Sequence, residues 1–360
     1  MQLSLFADPQ QRDGAALLHA WPLLPAMAAA TARAGIDVTV VQTAHRSEMI
    51  ERDGVPFHFV AGAHREWSRV MDIVSLLRPD VVHVQGLNFP RAMRPLSRAV
   101  RGAPIVVQDR GNQLPSGWRV AAWRWAHGVL AGATFTSRDQ AIPWKNARIL
   151  REKLPIFEVL SGSSDFAVGD RDTARQLTGM FGDPCLFWCG RLDANKDPMM
   201  MLSAVEHAVK ALPGLQLWCC FGEAPLLEQV QARIASSTLL KDRVTLLGTR
   251  PRDEIELRAR SADFFVQTSH REGGSLALLE AIAAGATPLV TDIPSARRIV
   301  GDAGSLTPVG DAPALGNAII QWASRDKAAL RVVVRARFDD ALTYDAIGRQ
   351  LGDAYAALVR

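Results

Sequence analysis

Short apolar runs of strand length alternate with longer helical stretches along the whole sequence. This alternation is typical of parallel sheets that helices cover on both faces, because each parallel pair of strands needs a helical crossover. The alternation is interrupted once, in the turn-rich residues 157–165. A chain of 360 residues is also long enough for two separate cores. We therefore predict an α/β protein with two Rossmann-like, doubly wound domains.

The domain boundaries follow from that interruption. Residues 1–158 are predicted to form an N-terminal domain, and residues 159–335 a C-terminal domain. Residues 336–360 contain Thr343 as a helix cap, followed by apolar positions at helical spacing. This pattern predicts a last helix that packs back on the first domain.

The predicted strands are short and apolar. In the first domain they are Leu3–Phe6, Val38–Val41, Val81–Val84, Ile105–Val107 and Ala133–Thr136. In the second domain they are Leu186–Cys189, Leu215–Phe221, Val244–Leu247, Phe264–Gln267 and Pro288–Thr291.

Charge is distributed unevenly. Residues 1–150 hold 17 Lys and Arg against 11 Asp and Glu, a formal charge of +6. Since the whole chain carries +4, residues 151–360 carry −2. Much of the excess comes from Arg91, Arg94, Arg98, Arg101, Arg119 and Arg124. A solvated helix face is the ordinary interpretation, and a surface for anionic lipid or an anionic acceptor is the alternative. Nucleic acid is not expected as a partner, because these arginines form no recognisable reading module.

Cysteine usage and the N-terminus indicate the compartment. The four cysteines, Cys185, Cys189, Cys219 and Cys220, lie in predicted strands without the spacing of a zinc site. Residues 1–14 lack the long apolar core of a signal peptide, and no run reaches membrane-spanning length. We therefore expect a cytoplasmic protein without a metal site. Peripheral contact with the inner membrane face through the basic N-terminal domain is the alternative to a solvated basic face.

Two cations follow the first strand of the second domain. That strand runs into Gly190, with Arg191 next and Lys196 five residues further on. In open parallel sheets ligands bind beyond the carboxyl ends of the strands, and two cations beside a glycine suit a diphosphate without a metal. Solvated loop cations are the alternative. The next two strands end at Gly222 and, through Gly248, at Arg250, where turns expose backbone groups to a base or sugar.

The strongest signal lies after strand Phe264–Gln267. His270 and Glu272 lead into Gly273, Gly274 and Ser275, and then into an apolar helix whose one charge is Glu280. A buried carboxylate is costly unless it is hydrogen-bonded, and a helix N-terminus preceded by glycines can hold a phosphate. An ionised carboxylate also accepts a pair of bonds from a ribose diol. Two carboxylates therefore flank an expected anion site.

Together these residues resemble the donor site of family 4 glycosyltransferases. The resemblance rests on Gly190-Arg191 with Lys196, on Gly222-Glu-Ala-Pro, and above all on Glu272-Gly-Gly-Ser-Leu-Ala-Leu-Leu-Glu280 ahead of Ala-Gly-Ala-Thr-Pro. It covers residues 157–310 well and the rest more loosely. It implies the GT-B fold, with two Rossmann-like domains facing a cleft. The second domain would hold most of the nucleotide sugar, and the first most of the acceptor.

The resemblance also implies a reaction and a set of roles. The expected activity is retaining transfer of a sugar from a nucleotide diphosphate sugar, without a metal or other cofactor, to a glycan, lipid or small molecule. Arg191 and Lys196 would neutralise the diphosphate, Glu280 would bind the ribose, and Glu272 would hold the donor sugar. The full donor-binding set is Gly190, Arg191, Lys196, Gly222, Arg250, His270, Glu272, Gly273, Gly274, Ser275, Leu276 and Glu280.

The N-terminal domain departs from the family pattern in two places. The loop at residues 6–14 has a single glycine, Gly14, where the family has a glycine-rich loop. Arg110 stands where the family commonly places a histidine. Arginine cannot act as a base at ordinary pH, but it can bind phosphate or an anionic sugar on the acceptor side. Asp109 is then the nearest titratable group and a candidate catalytic residue, with a structural role in its turn as the alternative.

Two other functions of the same fold remain open. The chain is alternatively a catalytically silent binding or partner subunit, for which Arg110 and the missing glycines are the motive. A nucleotide-sugar epimerase would need acid and base groups, for which the sequence offers only Asp109, Glu272 and His270. A dinucleotide oxidoreductase is disfavoured, because neither half has Gly-x-Gly-x-x-Gly after its first strand.

Overall fold

The computed structural model describes residues 1–61 and 67–359. The chain divides into two compact units. Unit 1 is Met1–Ser163 together with the residues from Thr343 onward, and unit 2 is Ser164–Leu342. These divisions lie a few residues beyond the sequence-based boundaries at 158 and 335.

Unit 1 is built on one eight-stranded sheet, in the order β3-β4-β2-β1-β5-β6-β7-β8. Only the β3–β4 pair is antiparallel among its described strands. The strands are β1 (Gln2–Ser4), β2 (Val40–Ala44), β3 (Glu48–Arg52), β4 (Val55–Ala61), β5 (Val82–Gln85), β6 (Ile105–Gln108), β7 (Gly132–Phe135) and β8 (Ile156–Glu158). The helices are α1 (Gly14–Ala20), α2 (Leu23–Arg33), α3 (Ser68–Leu77), α4 (Pro90–Ala99), α5 (Arg119–His127) and α6 (Ile142–Asn146), with a 3-10 helix at Arg138–Ala141.

Unit 2 is built on one six-stranded parallel sheet, in the order β11-β10-β9-β12-β13-β14. The strands are β9 (Cys185–Gly190), β10 (Gln216–Phe221), β11 (Val244–Gly248), β12 (Phe264–Gln267), β13 (Thr287–Thr291) and β14 (Ser305–Thr307). The helices are α7 (Arg171–Thr178), α8 (Pro198–Val209), α9 (Leu227–Ala235), α10 (Arg252–Ser261), α11 (Leu276–Ala283), α12 (Pro294–Val300), α13 (Ala312–Ala323) and α14 (Lys327–Ala341). Counted along the sheet this order is 3-2-1-4-5-6, the doubly wound arrangement of dinucleotide-binding folds.

The apolar runs fill these sheets as expected. In unit 1, β1, β5 and β6 are buried over their whole length. In unit 2 the central strands β10, β12 and β13 are also wholly buried. Strands covered by helices on both faces are continuously apolar, which is why they could be located from the sequence. The cysteines are free thiols on β9 and β10.

The last helix returns to unit 1, as predicted. Helix α15 (Tyr344–Val359) packs against α2, and Thr343 Oγ1 accepts a hydrogen bond from the Ala346 amide at its start. A Cβ atom at Gly348 would lie 2.2 Å from the Ala30 carbonyl oxygen, so the two helices approach closely only because this residue is glycine. Residues 336–341, expected to belong to this returning segment, instead continue α14 within unit 2.

No single helix among the described residues is long and apolar enough to cross a membrane. Helices α1 and α2 meet the length and composition criterion only when they are taken together, across a bend of 88°.

A buried histidine joins α15 to the sheet of unit 1. His83 on β5 has no exposed surface, and its Nδ1 lies 2.6 Å from the Tyr355 hydroxyl. Burial lowers the pKa of His83 to about 3, and the positive charges of Arg110 and the N-terminus act in the same direction. The imidazole is therefore neutral in the folded protein at ordinary pH.

This burial predicts a stability that falls in acid. Below the unfolded pKa of about 6.5 the unfolded chain takes up a proton that folded His83 does not, so unfolding becomes easier as the pH falls towards 3. At about pH 5 the loss relative to neutral pH is expected to be about 2 kcal/mol. Urea unfolding of the protein and of His83→Gln measures it, since glutamine can bond Tyr355 without titrating. Equal losses of stability in both proteins would contradict the assignment.

Candidate active site

The sheet of unit 2 reverses its strand order between β9 and β12. In open α/β sheets the loops that leave the carboxyl ends of two such strands separate and leave a crevice for a ligand. Arg191 and Lys196 follow β9, and His270 and Glu272 follow β12. The strongest candidates from the sequence therefore lie on the two loops that border this crevice.

One aspartate organises the loop after β9. Asp193 accepts a hydrogen bond from the Lys196 amide at 3.0 Å with one oxygen, and its other oxygen lies 3.0 Å from the Arg191 guanidinium. The Arg191 side chain is 54% exposed, and Glu223 lies 3.8 Å from it. Arg191 is thus charged, partly tethered and open to solvent, as a residue that meets an incoming anion must be.

The loops after β9 and β12 are tied together by several hydrogen bonds. Thr268 Oγ1 donates to the Lys196 carbonyl at 2.7 Å, and the His270 amide donates to the Asn195 carbonyl at 2.8 Å. The His270 imidazole Nε2 lies 2.9 Å from Asp197, whose other oxygen caps α8 through the Met200 amide. These bonds fix the geometry of the crevice, and they give His270 a structural partner.

The central contact of the site joins Lys196 to Glu272. The Lys196 Nζ atom lies 2.6 Å from Glu272 Oε1, and both side chains are only 14% exposed. Ser295 Oγ also donates to the Glu272 carbonyl at 3.1 Å. A partly buried ion pair with good geometry holds both side chains in fixed positions. Two residues 76 positions apart in the sequence are therefore brought together across the switch point.

Helix α11 begins at the same edge of the sheet. Its cap is Ser275, whose Oγ donates to Gln267 at 2.5 Å and accepts a long bond of 3.4 Å from the Leu278 amide. Gly273 and Gly274 precede this cap, and Leu276 is the first helical residue. A helix N-terminus carries partial positive charge and unpaired amides, which suit an anion.

Glu280 is buried, and it is paired. It is 8% exposed on α11 and bonds the Arg252 guanidinium, which begins α10. Burial raises the pKa of Glu280 above its usual range, and the Arg252 charge opposes this shift. Arg252 also bonds Asp165, and its guanidinium lies 4.5 Å from the centre of the Phe166 ring. The Arg252 cation therefore offsets the free-energy cost of burying the Glu280 carboxylate, and the sequence had not indicated Arg252.

Cys189 shows that the two halves of the site are near each other. Burial raises the pKa of this β9 thiol to about 12, with Cys220 and Glu280 acting in the same direction and Lys196 against it. The thiol thus lies within electrostatic reach of both Glu280 and Lys196. This high pKa also leaves it an inert core residue rather than a nucleophile.

Two predicted residues stand apart from this cluster. Gly222 begins the turn after β10, in which the Leu192 amide donates to the Glu223 carbonyl at 2.9 Å. Arg250 follows β11 and lies 3.8 Å from Glu254, at the start of α10. Both lie at the carboxyl edge of the sheet, without a contact to Lys196 or Glu272 among the hydrogen bonds and ion pairs of the described residues.

Asp109 and Arg110 lie in unit 1, directly after β6. Burial raises the pKa of Asp109, and hydrogen bonds from the amides of residues 110–112 oppose the shift. The Arg110 guanidinium bonds Gln85 and the Ser161 carbonyl, and burial lowers its pKa to about 10. Arg110 remains a cation at neutral pH, and its bonds hold the end of β6 to the end of β5.

An ion pair between Asp8 and Arg12 holds the loop after β1, which lacks the glycines of the family pattern. Asp8 accepts bonds from the Arg12 amide at 2.7 Å and from the Arg12 guanidinium at 2.7 Å and 3.0 Å. These bonds hold the pKa of Asp8 well below its usual range. Gly14 is required for packing, because a Cβ atom there would lie 2.3 Å from the Phe59 ring.

Three residues of the candidate site were not predicted from the sequence. Asp197 carried a usable signal, since an aspartate directly before a proline is typical of a helix start. Asp193 carried only the general signal of an aspartate in a loop, whose side chain can bond a nearby backbone amide. Arg252 carried none, because nothing in the sequence relates it to Glu280, 28 residues later.

The cluster has the chemistry of an anion site. In the described part of the chain, no group of three or more His, Cys, Asp or Glu side chains is placed to hold a metal ion. Arg191, Lys196 and the N-terminus of α11 supply positive charge, while Glu272 and Glu280 supply acceptors for hydroxyl groups. This combination matches a ligand that carries both phosphates and vicinal hydroxyls.

Comparison with known proteins finds a family match within unit 2. Residues 170–337, all in unit 2, match the family described as glycosyl transferases group 1. A curated relative from Xanthomonas oryzae pv. oryzae is 26% identical over 233 residues, which cover 62% of this chain and 59% of the relative. One from Xanthomonas campestris is 24% identical over 299 residues, which cover 78% and 74%. Both are named GDP-mannose:cellobiosyl-diphosphopolyprenol alpha-mannosyltransferase. The match thus spans less than two thirds of the first relative.

Solved structures share the fold over the whole chain. Anabaena Alr3699/HepE, in complex with UDP, superposes with a TM-score of 0.72 at 17% identity and covers 99% of both chains. Sucrose-phosphate synthase from Thermosynechococcus elongatus gives 0.69 at 18% identity, over 99% of this chain and 98% of that one. At such identities the likeness establishes the fold alone. It confirms the prediction of two Rossmann-like α/β domains of the GT-B fold class.

Proposed function

We propose that this chain, whose residues 170–337 match the group 1 glycosyltransferases, transfers a sugar from a nucleotide diphosphate sugar to an acceptor, with retention at the anomeric carbon. The observation that carries this proposal is the Lys196–Glu272 pair, which spans the switch point of unit 2 beside the start of α11. It unites a cation for phosphate with a carboxylate for sugar hydroxyls in one crevice.

Each residue then has a distinct role. Arg191, Lys196 and the amides of Gly274 to Leu276 bind the diphosphate. Glu272 accepts bonds from hydroxyls of the donor sugar, and Glu280 accepts bonds from the ribose. Gly190, Gly222, Arg250, His270 and Gly273 border the nucleotide through their backbone or their position at the sheet edge. On the acceptor side we assign Arg110 to an anionic group and Asp109 to the acceptor hydroxyl.

The chemistry follows from where charge develops. As the bond between the sugar and the diphosphate breaks, negative charge grows on the departing phosphate oxygens. Fixed cations and a helix N-terminus stabilise that state more than the ground state, which lowers the barrier. The leaving phosphate can take the acceptor proton on the same face of the sugar, so retention needs no protein nucleophile.

The relatives suggest the first donor and acceptor to test. Both Xanthomonas proteins are named for GDP-mannose and for cellobiosyl-diphosphopolyprenol. An acceptor of that type is a sugar held on an anionic lipid. We accordingly place the protein in the cytoplasm, in contact with the inner membrane face through its basic unit 1.

A thermal-shift panel of nucleotide sugars tests donor dependence. We expect one donor to raise the melting temperature, since a ligand that binds only the folded state stabilises it.

With that donor, transfer should proceed unchanged in EDTA, because Arg191 and Lys196 supply the charge that a metal would. Proton NMR of the product should show the anomeric configuration of the donor. The absence of a shift with any donor, or an inverted product, would refute the proposal.

A further inference from the structure

A pocket opens on unit 1 beyond the carboxyl ends of β5 and β6. It measures about 380 Å³ and lies between the start of α4 and the exposed side of α5. Phe89 and Arg91 line it from the α4 side, and Trp118, Arg119 and Trp125 line it from the α5 side. None of these residues belongs to the donor site of unit 2.

Two tryptophans of this pocket lie in solvent. Trp118 is 82% exposed and Trp125 is 63% exposed, and with exposed Ala122 between them they follow one another at helical spacing. The Arg94 guanidinium lies 4.6 Å from the centre of the Trp125 ring and donates to the Trp125 carbonyl at 2.7 Å. Exposed apolar patches of this kind mark interaction sites, and tryptophan is favoured where an apolar region meets water.

The charge around the pocket has a single sign. Residues 88–128 contain seven arginines and one carboxylate, Asp109, which is buried. The seven are Arg91, Arg94, Arg98, Arg101, Arg110, Arg119 and Arg124. We call Arg91, Arg94, Trp118, Arg119 and Trp125 the Trp–Arg surface. Its charge complements an anionic surface, because nearby basic side chains each contribute to binding a membrane that contains acidic lipids.

We propose that the Trp–Arg surface docks unit 1 on an anionic phospholipid bilayer. Trp118 and Trp125 enter the headgroup region, Arg91, Arg94 and Arg119 contact lipid phosphates, and the pocket takes one lipid headgroup. The inference deepens the membrane contact proposed above and gives it a surface. It is independent of the donor chemistry, because none of its residues lies in unit 2.

The aromatic geometry favours a bilayer over single-stranded nucleic acid. Binding of single strands uses several open ring faces along a basic groove. Arg94 covers a face of Trp125, and buried Trp123 is stacked between His127 and Trp144 at 5.4 Å and 6.0 Å. Trp118 presents a largely open ring at this pocket. Insertion into headgroups needs only exposed edges, which both Trp118 and Trp125 have.

Vesicle flotation of the full chain tests the proposal. We expect the protein to float with phosphatidylcholine vesicles that contain phosphatidylglycerol, to stay in solution with pure phosphatidylcholine, and to be released by high salt. Trp118→Ala with Trp125→Ala should lose most of the binding. Arg91→Glu with Arg119→Glu should weaken it at least about 25-fold, since each basic residue contributes about fivefold.

The matched control reverses the same number of positive charges on unit 2. Lys210→Glu with Lys241→Glu alters two exposed lysines of unit 2 and should leave flotation within about twofold of the wild type. Circular dichroism melting checks that each variant folds. Wild-type protein that ignores anionic vesicles but binds poly(U), wild-type protein that binds neither, or Trp–Arg variants that float normally would overturn the proposal. Calorimetric titration of the nucleotide reports separately on the donor site, so failure of one claim is distinguishable from failure of the other.

Discussion

Replacement of Lys196 by alanine is expected to lower the rate of sugar transfer about 10²- to 10³-fold. The loss of a charged donor aimed at the group that becomes negative in the transition state has effects of that size. Here the change also leaves Glu272 without its partner at 2.6 Å. Steady-state kinetics with the donor identified in the panel measures it, and we expect most of the loss in kcat rather than in KM.

An exposed lysine at the other end of α8 supplies the control for this experiment. Lys210 lies just beyond the C-terminal end of α8 and is exposed, so Lys210→Ala removes an equal charge away from the crevice. Its kcat should stay within about twofold of the wild-type value, as for exposed substitutions in general. If Lys196→Ala and Lys210→Ala had equal rates, Lys196 would have no part in the reaction.

Replacement of Glu280 by glutamine is expected to weaken nucleotide binding about 10- to 100-fold, because hydrogen bonds to a charged group contribute about 1.5–3 kcal/mol each. Calorimetric titration with the nucleoside diphosphate measures the change. The 2′-deoxy nucleotide provides the second arm of a cycle, since it lacks a hydroxyl that Glu280 is proposed to accept. Wild-type protein should discriminate against it and Glu280→Gln should not. Equal discrimination in both proteins would place the ribose elsewhere.

The pH dependence of binding tests how Arg252 acts on this carboxylate. Burial raises the pKa of Glu280 and the Arg252 charge lowers it. Because an ionised Glu280 is the better acceptor, nucleotide binding should weaken as the pH falls through that pKa. In Arg252→Gln the opposing charge is gone, so the same weakening should begin at a higher pH. A midpoint that does not move would show that Arg252 has no influence on Glu280.

The positions of most strands along the chain could be predicted because buried parallel strands are continuous apolar runs. The hairpin of β3 and β4 was missed, since all five residues of β3 and three of the seven of β4 are at least partly exposed and its runs are mixed. Its turn did carry a signal: Asp53 and Gly54 both have positive φ, at 54° and 73°, which is the Asp-Gly pattern of a two-residue hairpin. The end of unit 2 was misplaced because α14 continues the helical periodicity past residue 335.

Only those site residues that form a recognisable pattern within one stretch of sequence could be predicted. Arg191, Lys196, Glu272 and Glu280 could be proposed from the sequence because loop glycines and a lone charge in an apolar helix are visible in one stretch. Their partners were not found, because Arg252 reaches Glu280 through tertiary packing of α10 on α11. The charge of residues 88–128 was visible, but the exposure of Trp118 and Trp125 was not.

A crystal structure of the protein with its nucleotide sugar tests the central claim most directly. We predict the diphosphate beyond the carboxyl ends of β9 and β12, within about 3 Å of the Lys196 ammonium and the first amides of α11. The ribose hydroxyls should bond Glu280 in place of Arg252, and the sugar should contact Glu272. A nucleotide bound at any other edge of the sheet, with the Glu280–Arg252 pair undisturbed, would contradict the account.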